Sequence, residues 1–183
     1  MREGIFLIAV CLLFSCSGPG TPKGLKSQIA DLEQKIDSLE KQNSRENVAV
    51  LNESRQKLAM AYESYADENK DTDSIQSEEY LALAASLYQN TLQQLDKALA
   101  LNDKIIADYP ESERAIFALF NKGYIYNNYI RDTNMAKSIY TDFIAKYPNH
   151  KLATDASVEL QFLGKSAKEM LEEIQKRNQQ QSE

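Results

Sequence analysis

Ile106-Ala107-Asp108-Tyr109-Pro110 is followed 38 residues later by Ile144-Ala145-Lys146-Tyr147-Pro148, and that recurrence decides the fold. The same offset carries Leu81 to Leu119, Ala85 to Gly123, Tyr88 to Tyr126 and Ala98 to Ala136, so the register holds over a whole repeat. Each copy reads as a helix with a large, a small and an aromatic residue on one face, then a turn, then a helix that opens on alanine and closes on Tyr-Pro. Proline ends that second helix because it has no amide to donate and pushes the residue before it out of the helical region. Ala85, Gly123, Ala98 and Ala136 let the helices of a hairpin approach closely, while large residues fill the space between hairpins. The expected fold is all-α, with a helical-hairpin solenoid in the C-terminal half.

This pattern resembles the tetratricopeptide repeat. In the second copy Leu119, Lys122, Gly123, Tyr126, Ala136, Tyr140, Phe143 and Pro148 stand where the family has its large residue, Leu, Gly, Tyr, Ala, Phe or Tyr, Ala and Pro. Lys122 and Phe143 depart from the pattern, and extra residues around Ile130 to Thr133 predict a looser hairpin turn. The first copy, Glu78 to Pro110, departs at Asn102, where an aromatic is expected. The resemblance implies that the first helix of each hairpin lines a concave face that takes an extended or helical peptide. By position, Phe117, Phe120, Tyr124, Asn127 and Asn128 would face that groove, with Glu79, Ala82, Ser86, Gln89 and Asn90 as first-copy counterparts. Aromatics supply contact area and asparagines pair with a peptide backbone. Phe117 and Phe120 suit packing between hairpins equally well.

With 183 residues, 43% hydrophobic and 26% charged, the chain holds one modest domain plus an extension. A net charge of −6 and the lack of a basic cluster argue against a nucleic-acid partner. The apolar run Ile5 to Phe14 is too short to span a bilayer and has the length of a secretory signal core. Leu13-Phe14-Ser15-Cys16 then resembles a bacterial lipobox, which implies cleavage before Cys16 and acylation of that residue. The alternative is an ordinary signal peptide with an incidental cysteine. Cys11 would leave with the signal, so no disulfide or cysteine metal site is expected. Ser17, not Asp, follows the cysteine, which by analogy with enteric bacteria points to the outer membrane, periplasmic face. The expected division is 1–15 signal peptide, 16–24 lipidated cysteine and flexible tether, 25–45 coil, 46–177 repeat domain and 178–183 disordered tail.

Leu25, Ile29, Leu32, Ile36 and Leu39 alternate steps of four and three, the seam of a coiled coil. Isoleucine at a and leucine at d favour a homodimer over a trimer; a single amphipathic helix folding back on the repeats is the alternative. Val48, Leu51, Leu58, Ala61, Tyr62 and Tyr65 predict a further helix that caps the solenoid. Asp67 to Glu79 reads as an acidic loop; a calcium site there fails because Ser74 replaces the required Gly and Tyr80 the required Glu. Gly164 stops the helix over 151–163. Ser166 and Glu169 then form a capping box that starts a closing helix with Met170, Leu171 and Ile174 apolar, and the tail from Gln175 is predicted to fray.

No catalytic constellation is visible. His150, the sole histidine, stands at a helix start where capping is its expected role, and no phosphate-binding glycine loop occurs. Neither cofactor nor metal is expected. The reading is a non-catalytic, membrane-anchored adaptor that binds a protein or peptide partner in the bacterial cell envelope; the alternative is an oligomeric coiled-coil spacer. A lipid-anchored coil followed by repeats resembles two envelope groups, the Tol-associated coiled-coil tetratricopeptide proteins and the lipoprotein of the outer-membrane β-barrel assembly machine. The array here is shorter than in either.

Overall fold

The computed structural model describes residues 22–180; the apolar run, Cys16, the tether through Thr21 and residues 181–183 lie outside the described residues. Among the described residues there are eight α-helices and no strand: α1 Pro22–Gln42, α2 Val48–Asn69, α3 Ser74–Ser86, α4 Leu95–Asp108, α5 Glu113–Ile125, α6 Thr133–Lys146, α7 Lys151–Phe162 and α8 Ala167–Gln180. From α1 to α7 each helix packs on the next, and α3 also touches α5. This is the neighbour-only packing of a tetratricopeptide-like solenoid.

The two copies share geometry down to their caps. Tyr109 and Tyr147 leave the helical region at φ −133°, ψ 53° and φ −128°, ψ 55°, as a residue before proline must. Their amides still reach back to Ile105 and Phe143 at 2.9 and 2.8 Å. Ser112 then caps α5 by accepting from the Ala115 amide at 2.9 Å, and His150, 38 positions on, caps α7 by accepting from the Leu152 amide at 3.2 Å. Ala98, Ala136 and Tyr140 are fully enclosed, and Tyr88 is 1% exposed. Gly123 shows why a small residue is needed: a Cβ there would lie 2.7 Å from the Tyr140 ring.

Several expectations are corrected. The turn around Ile130 to Thr133 is not loose. Both α3 and α5 widen into a π turn, Leu87–Thr91 and Tyr126–Ile130, which absorbs extra residues without losing hydrogen bonds. Gln93 and Arg131 follow in the left-handed region at φ 54° and 66°, and the Gln94 and Asp132 amides close back on Tyr88 and Tyr126 at 2.8 and 3.0 Å. The repeat therefore runs to 38 residues, against about 34 for the family.

The coiled-coil seam is spent inside the chain. Asn43, at φ 45°, reverses the backbone after α1, and α1 lies along α2. Leu25 and Ile29 join the core, Leu32 and Ile36 pack against it, and Leu39 is half-buried. The helix is pinned there by Tyr62 donating to Glu33 at 2.5 Å, Arg55 to Glu40 at 2.6 Å and Lys26 to Asp73 at 3.0 Å. A boundary at 45/46 is thus not a division between domains, because one apolar cluster runs from α1 into α5. The acidic loop shrinks to residues 70–73, with Asp73 held by the Tyr65 hydroxyl at 2.6 Å as well as by Lys26.

At the far end, the Ser166–Glu169 capping box forms, with the Glu169 amide donating to Ser166 at 3.3 Å and the Ser166 amide to Glu169 at 2.7 Å. Yet α8 closes the array only in part: Met170 is half-buried beside Phe162, whereas Leu171 and Ile174 remain 56% and 44% exposed. It also stays helical to Gln180 instead of fraying from Gln175, since its Lys, Arg and Gln residues favour helix and Arg177 donates to Gln161 at 3.0 Å.

Candidate peptide groove

The first helices of successive hairpins, α3, α5 and α7, are tied side chain to side chain by two rungs in the same register. Asn121 donates to Gln89 at 2.8 Å, and Asn127 donates to Glu159 at 3.0 Å; both members are displaced by 38 residues between rungs. Charges tie the opposite ends of these helices. Arg114 reaches Glu78 and Glu79 at 3.5 and 3.7 Å, while Glu113 takes Lys151 at 3.2 Å and the His150 Nε2 proton at 3.2 Å. Because His150 Nδ1 accepts from a backbone amide, its proton is assigned to Nε2. The His150 and Lys151 donors together hold the Glu113 carboxyl below the usual carboxylate range.

Between α3, α4 and α5 lies a pocket of about 330 Å³, lined by Ala82, Ala85, Ser86, Gln89, Asn90, Asn102, Ile105, Arg114, Phe117, Ala118, Phe120 and Asn121. That volume is in the range of small-ligand and side-chain sites. It opens where this module has smaller residues, Ala82 in place of Phe120 and the departure noted at position 102. In the next module the equivalent position is Tyr140, whose ring fills the interior against Phe120 at 5.4 Å between centroids and against Gly123. Asn102 is shorter and is turned away, donating to the Ala98 carbonyl of its own helix at 2.8 Å. Ala85 replaces Gly123, and Ser86 replaces Tyr124. The same scaffold is hence hollow in one module and solid in the next.

Of the residues expected in the groove, Phe117 and Phe120 line the pocket, together with Ala82, Ser86, Gln89 and Asn90. Phe120 has a double role, since it also meets Phe143 at 5.7 Å. Tyr124, Asn127 and Asn128 lie outside that pocket. Tyr124 is 37% exposed and edge-on to Tyr129, Asn127 serves the rung to Glu159, and the Asn128 amide donates to its own backbone at Tyr124, 3.2 Å away. Asn127 and Asn128 instead border a second cleft with Arg131, Phe162 and Gly164 at the α7–α8 turn. Arg114, Ala118 and Asn121 line the pocket and were missed. Arg114 and Asn121 lie one turn before and after Phe117, and Ala118 is next to it, so the helical period could have found them. Asn102 was read only as a weak match, although the same residue signals the cavity.

Burial raises the Tyr140 and Tyr88 phenols well above the ordinary tyrosine range, helped by Glu159 and Tyr124 for the former and Glu63 for the latter. No nucleophile and base are brought together among the groups lining the pocket, and no described cluster of His, Cys, Asp and Glu has the composition of a metal site. What the face offers is apolar area, carboxamides and fixed charge, the chemistry of recognition.

Residues 117–150 match the family model of the tetratricopeptide repeat, a span that runs from Phe117 in α5 to the cap of α7. The chain thus contains a tetratricopeptide repeat, and the match falls on the solid module. Searches of curated proteins and of solved structures return no match to this chain.

Proposed function

We propose that the chain is a non-catalytic adaptor that takes an extended protein segment along the α3–α5–α7 face. The observation that carries this is the hollow module: a pocket of about 330 Å³ opens on the face where the first helices of the hairpins align, with exposed Phe117 at its rim. The tetratricopeptide repeat at 117–150 supports a protein partner, because such repeats build binding surfaces from stacked hairpins. A photocrosslinker at Phe117, with Lys168 as an 86%-exposed control, tests it in cells. Adducts with one distinct protein from Phe117 alone are expected; equal adducts from both positions overturn the groove.

The setting we propose is the bacterial envelope, with the chain anchored through acylated Cys16. The support is the apolar run Ile5 to Phe14 followed by Leu13-Phe14-Ser15-Cys16. Cys16→Ser should move the protein from the membrane to the soluble fraction and end incorporation of labelled palmitate; unchanged fractionation sinks the anchor. The oligomeric spacer loses its main argument, since Leu25 and Ile29 of its seam are 5% and 2% exposed within the single chain.

A further inference from the structure

We propose that the segment taken by this groove carries one large apolar side chain, seated in the α3–α4–α5 pocket, and a lysine or arginine about three residues away, placed between α5 and α7. This rests on the groove reading above and states what the bound segment must be.

The anchor follows from the internal comparison. Most of the exposed wall is carbon, from Ala82, Ala85, Ile105, Phe117, Ala118 and Phe120, with Ser86, Arg114 and four carboxamides supplying the rest. The Asn102 carboxamide points its N–H at Ala98. The empty volume sits where Tyr140 fills the following module, so a ring or a branched aliphatic chain matches it and a small polar one does not.

The basic residue follows from charge. Helices α3, α5 and α7 bring four accessible carboxylates to the face, Glu79, Glu113, Asp155 and Glu159, with Glu78 buried beside them. Arg114 is engaged by Glu78 and Glu79 and Lys151 by Glu113, while Arg131 and Lys165 stand further along, at the cleft that Asn127 borders. Among the described residues Glu159 accepts from the neutral Asn127 amide and from no cation. Asp155, the counterpart of Phe117 one repeat on, is exposed. Among the described residues Asp155 and Glu159 make no ion pair, so the α7 side of the face offers carboxylate that no cation neutralises directly. Opposite charge on the ligand gives specificity and faster encounter.

The spacing follows from the ladder. Rungs of 2.8 and 3.0 Å put α3, α5 and α7 in direct side-chain contact. Helices so packed lie roughly 10 Å apart. That step equals about three residues of an extended or polyproline chain.

The test is fluorescence anisotropy with the purified full chain and three labelled peptides: Ser-Phe-Ser-Pro-Lys-Ser, the same with Glu for Lys, and the same with Ala for Phe. The first should bind at least about fivefold tighter than either other at low salt. The preference for Lys should shrink in 0.5 M NaCl and that for Phe persist, because salt screens the former only. Asp155→Asn with Glu159→Gln should erase the Lys preference. Ala85→Gly with Asn102→Tyr, which installs the solid module's pair, should erase the Phe preference; if that variant is not helical by circular dichroism, Phe117→Ala takes its place. Equal or tighter binding of the Glu peptide overturns the charge argument, and a Phe preference that survives a folded pocket-filling variant overturns the anchor. Should no peptide bind, the adduct at Phe117 decides: a captured segment lacking the apolar and basic pair refutes this inference alone, whereas no adduct refutes the groove itself.

Discussion

The α3–α4–α5 and α5–α6–α7 modules share a 38-residue register, π turns of the same length, Tyr-Pro exits with matching backbone angles, and a polar rung in the same place. They differ in the bulk of their interiors, most at one position and its partner, and also where Ala82 and Ile105 stand for Phe120 and Phe143. Tyr140 against Gly123 fills the second module, and Asn102 against Ala85 leaves the first open. The frame of a repeat, set by caps and the small residues Ala98 and Ala136, is thus independent of whether its interior is filled. A module can be hollow without being unmade, because the neighbours on both sides still supply the packing.

The largest effect that would test this contrast is truncation at the differing position. Tyr140→Ala removes a fully enclosed ring that meets Phe120 and should cost about 3–5 kcal/mol. Asn102→Ala loses one bond to its own helix and should cost only about 1 kcal/mol. Urea midpoints compare the two; equal costs would mean that the first module is as solid as the second.

Next comes the partner position. Gly123→Ala gains about 1 kcal/mol of helix propensity but drives a Cβ to 2.7 Å from a ring with nowhere to retreat. Overpacking of this kind costs about 1–3 kcal/mol, so a net loss is expected. The loss should vanish in the Tyr140→Ala background, which a double-mutant cycle reads directly. Ala85→Gly in the hollow module should show no such coupling to position 102.

Acid should separate the modules' loop ends more gently. Burial alone would raise the Asp108 carboxyl, but Lys70 and Lys104 outweigh it and hold it below the usual range. Glu113 is lowered in the same direction by His150 and Lys151, yet it is 56% exposed, against 16% for Asp108. A carboxyl depressed in the folded state contributes stability above its unfolded value, near 4, and loses it as pH falls through the folded value. Melting temperature should therefore drop below about pH 4, and Asp108→Asn should flatten that drop more than Glu113→Gln, whose pair is screened. The Asp108 effect is expected at about 1 kcal/mol.

How much of this was readable in advance depends on what each residue's pattern could distinguish. The copies at 106–110 and 144–148 gave away the solenoid because proline and small residues act locally, through the backbone and through close approach. The fate of Leu25 to Leu39 was not readable, since a seam at steps of four and three packs equally well on a second copy or on α2. What settles it is the reversal at Asn43, a residue that tolerates positive φ but does not demand it. Ser74 to Glu79 looked like loop because its residues are polar; Ser77 and Glu78 are in fact buried in helix α3 by contacts distant in sequence. That Phe117 and Phe120 stand on the pocket-lining side of α5 follows from repeat position, whereas the pocket itself needed the volume missing at Asn102, a tertiary quantity.

The smallest effect is one of sign. The Tyr140 hydroxyl is buried with no hydrogen-bond partner, so the solid module carries an unmet polar group at its centre. The Tyr88 hydroxyl, equally deep, donates to Glu63 at 2.6 Å and accepts from Gln56 at 3.4 Å. Replacing each by phenylalanine removes one oxygen and leaves the ring. At Tyr88 this should cost about 1 kcal/mol, because a charge-assisted bond is lost and Glu63 must be resolvated. At Tyr140 it should stabilise by a few tenths of a kcal/mol up to about 1, because the folded state no longer desolvates an oxygen for nothing. Chemical denaturation of the two variants side by side reads the difference. If Tyr140→Phe were as harmful as Tyr88→Phe, the Tyr140 hydroxyl would have to be bonded in solution, and the solid module's interior would not be the close-packed, dry space that sets it apart from the hollow one.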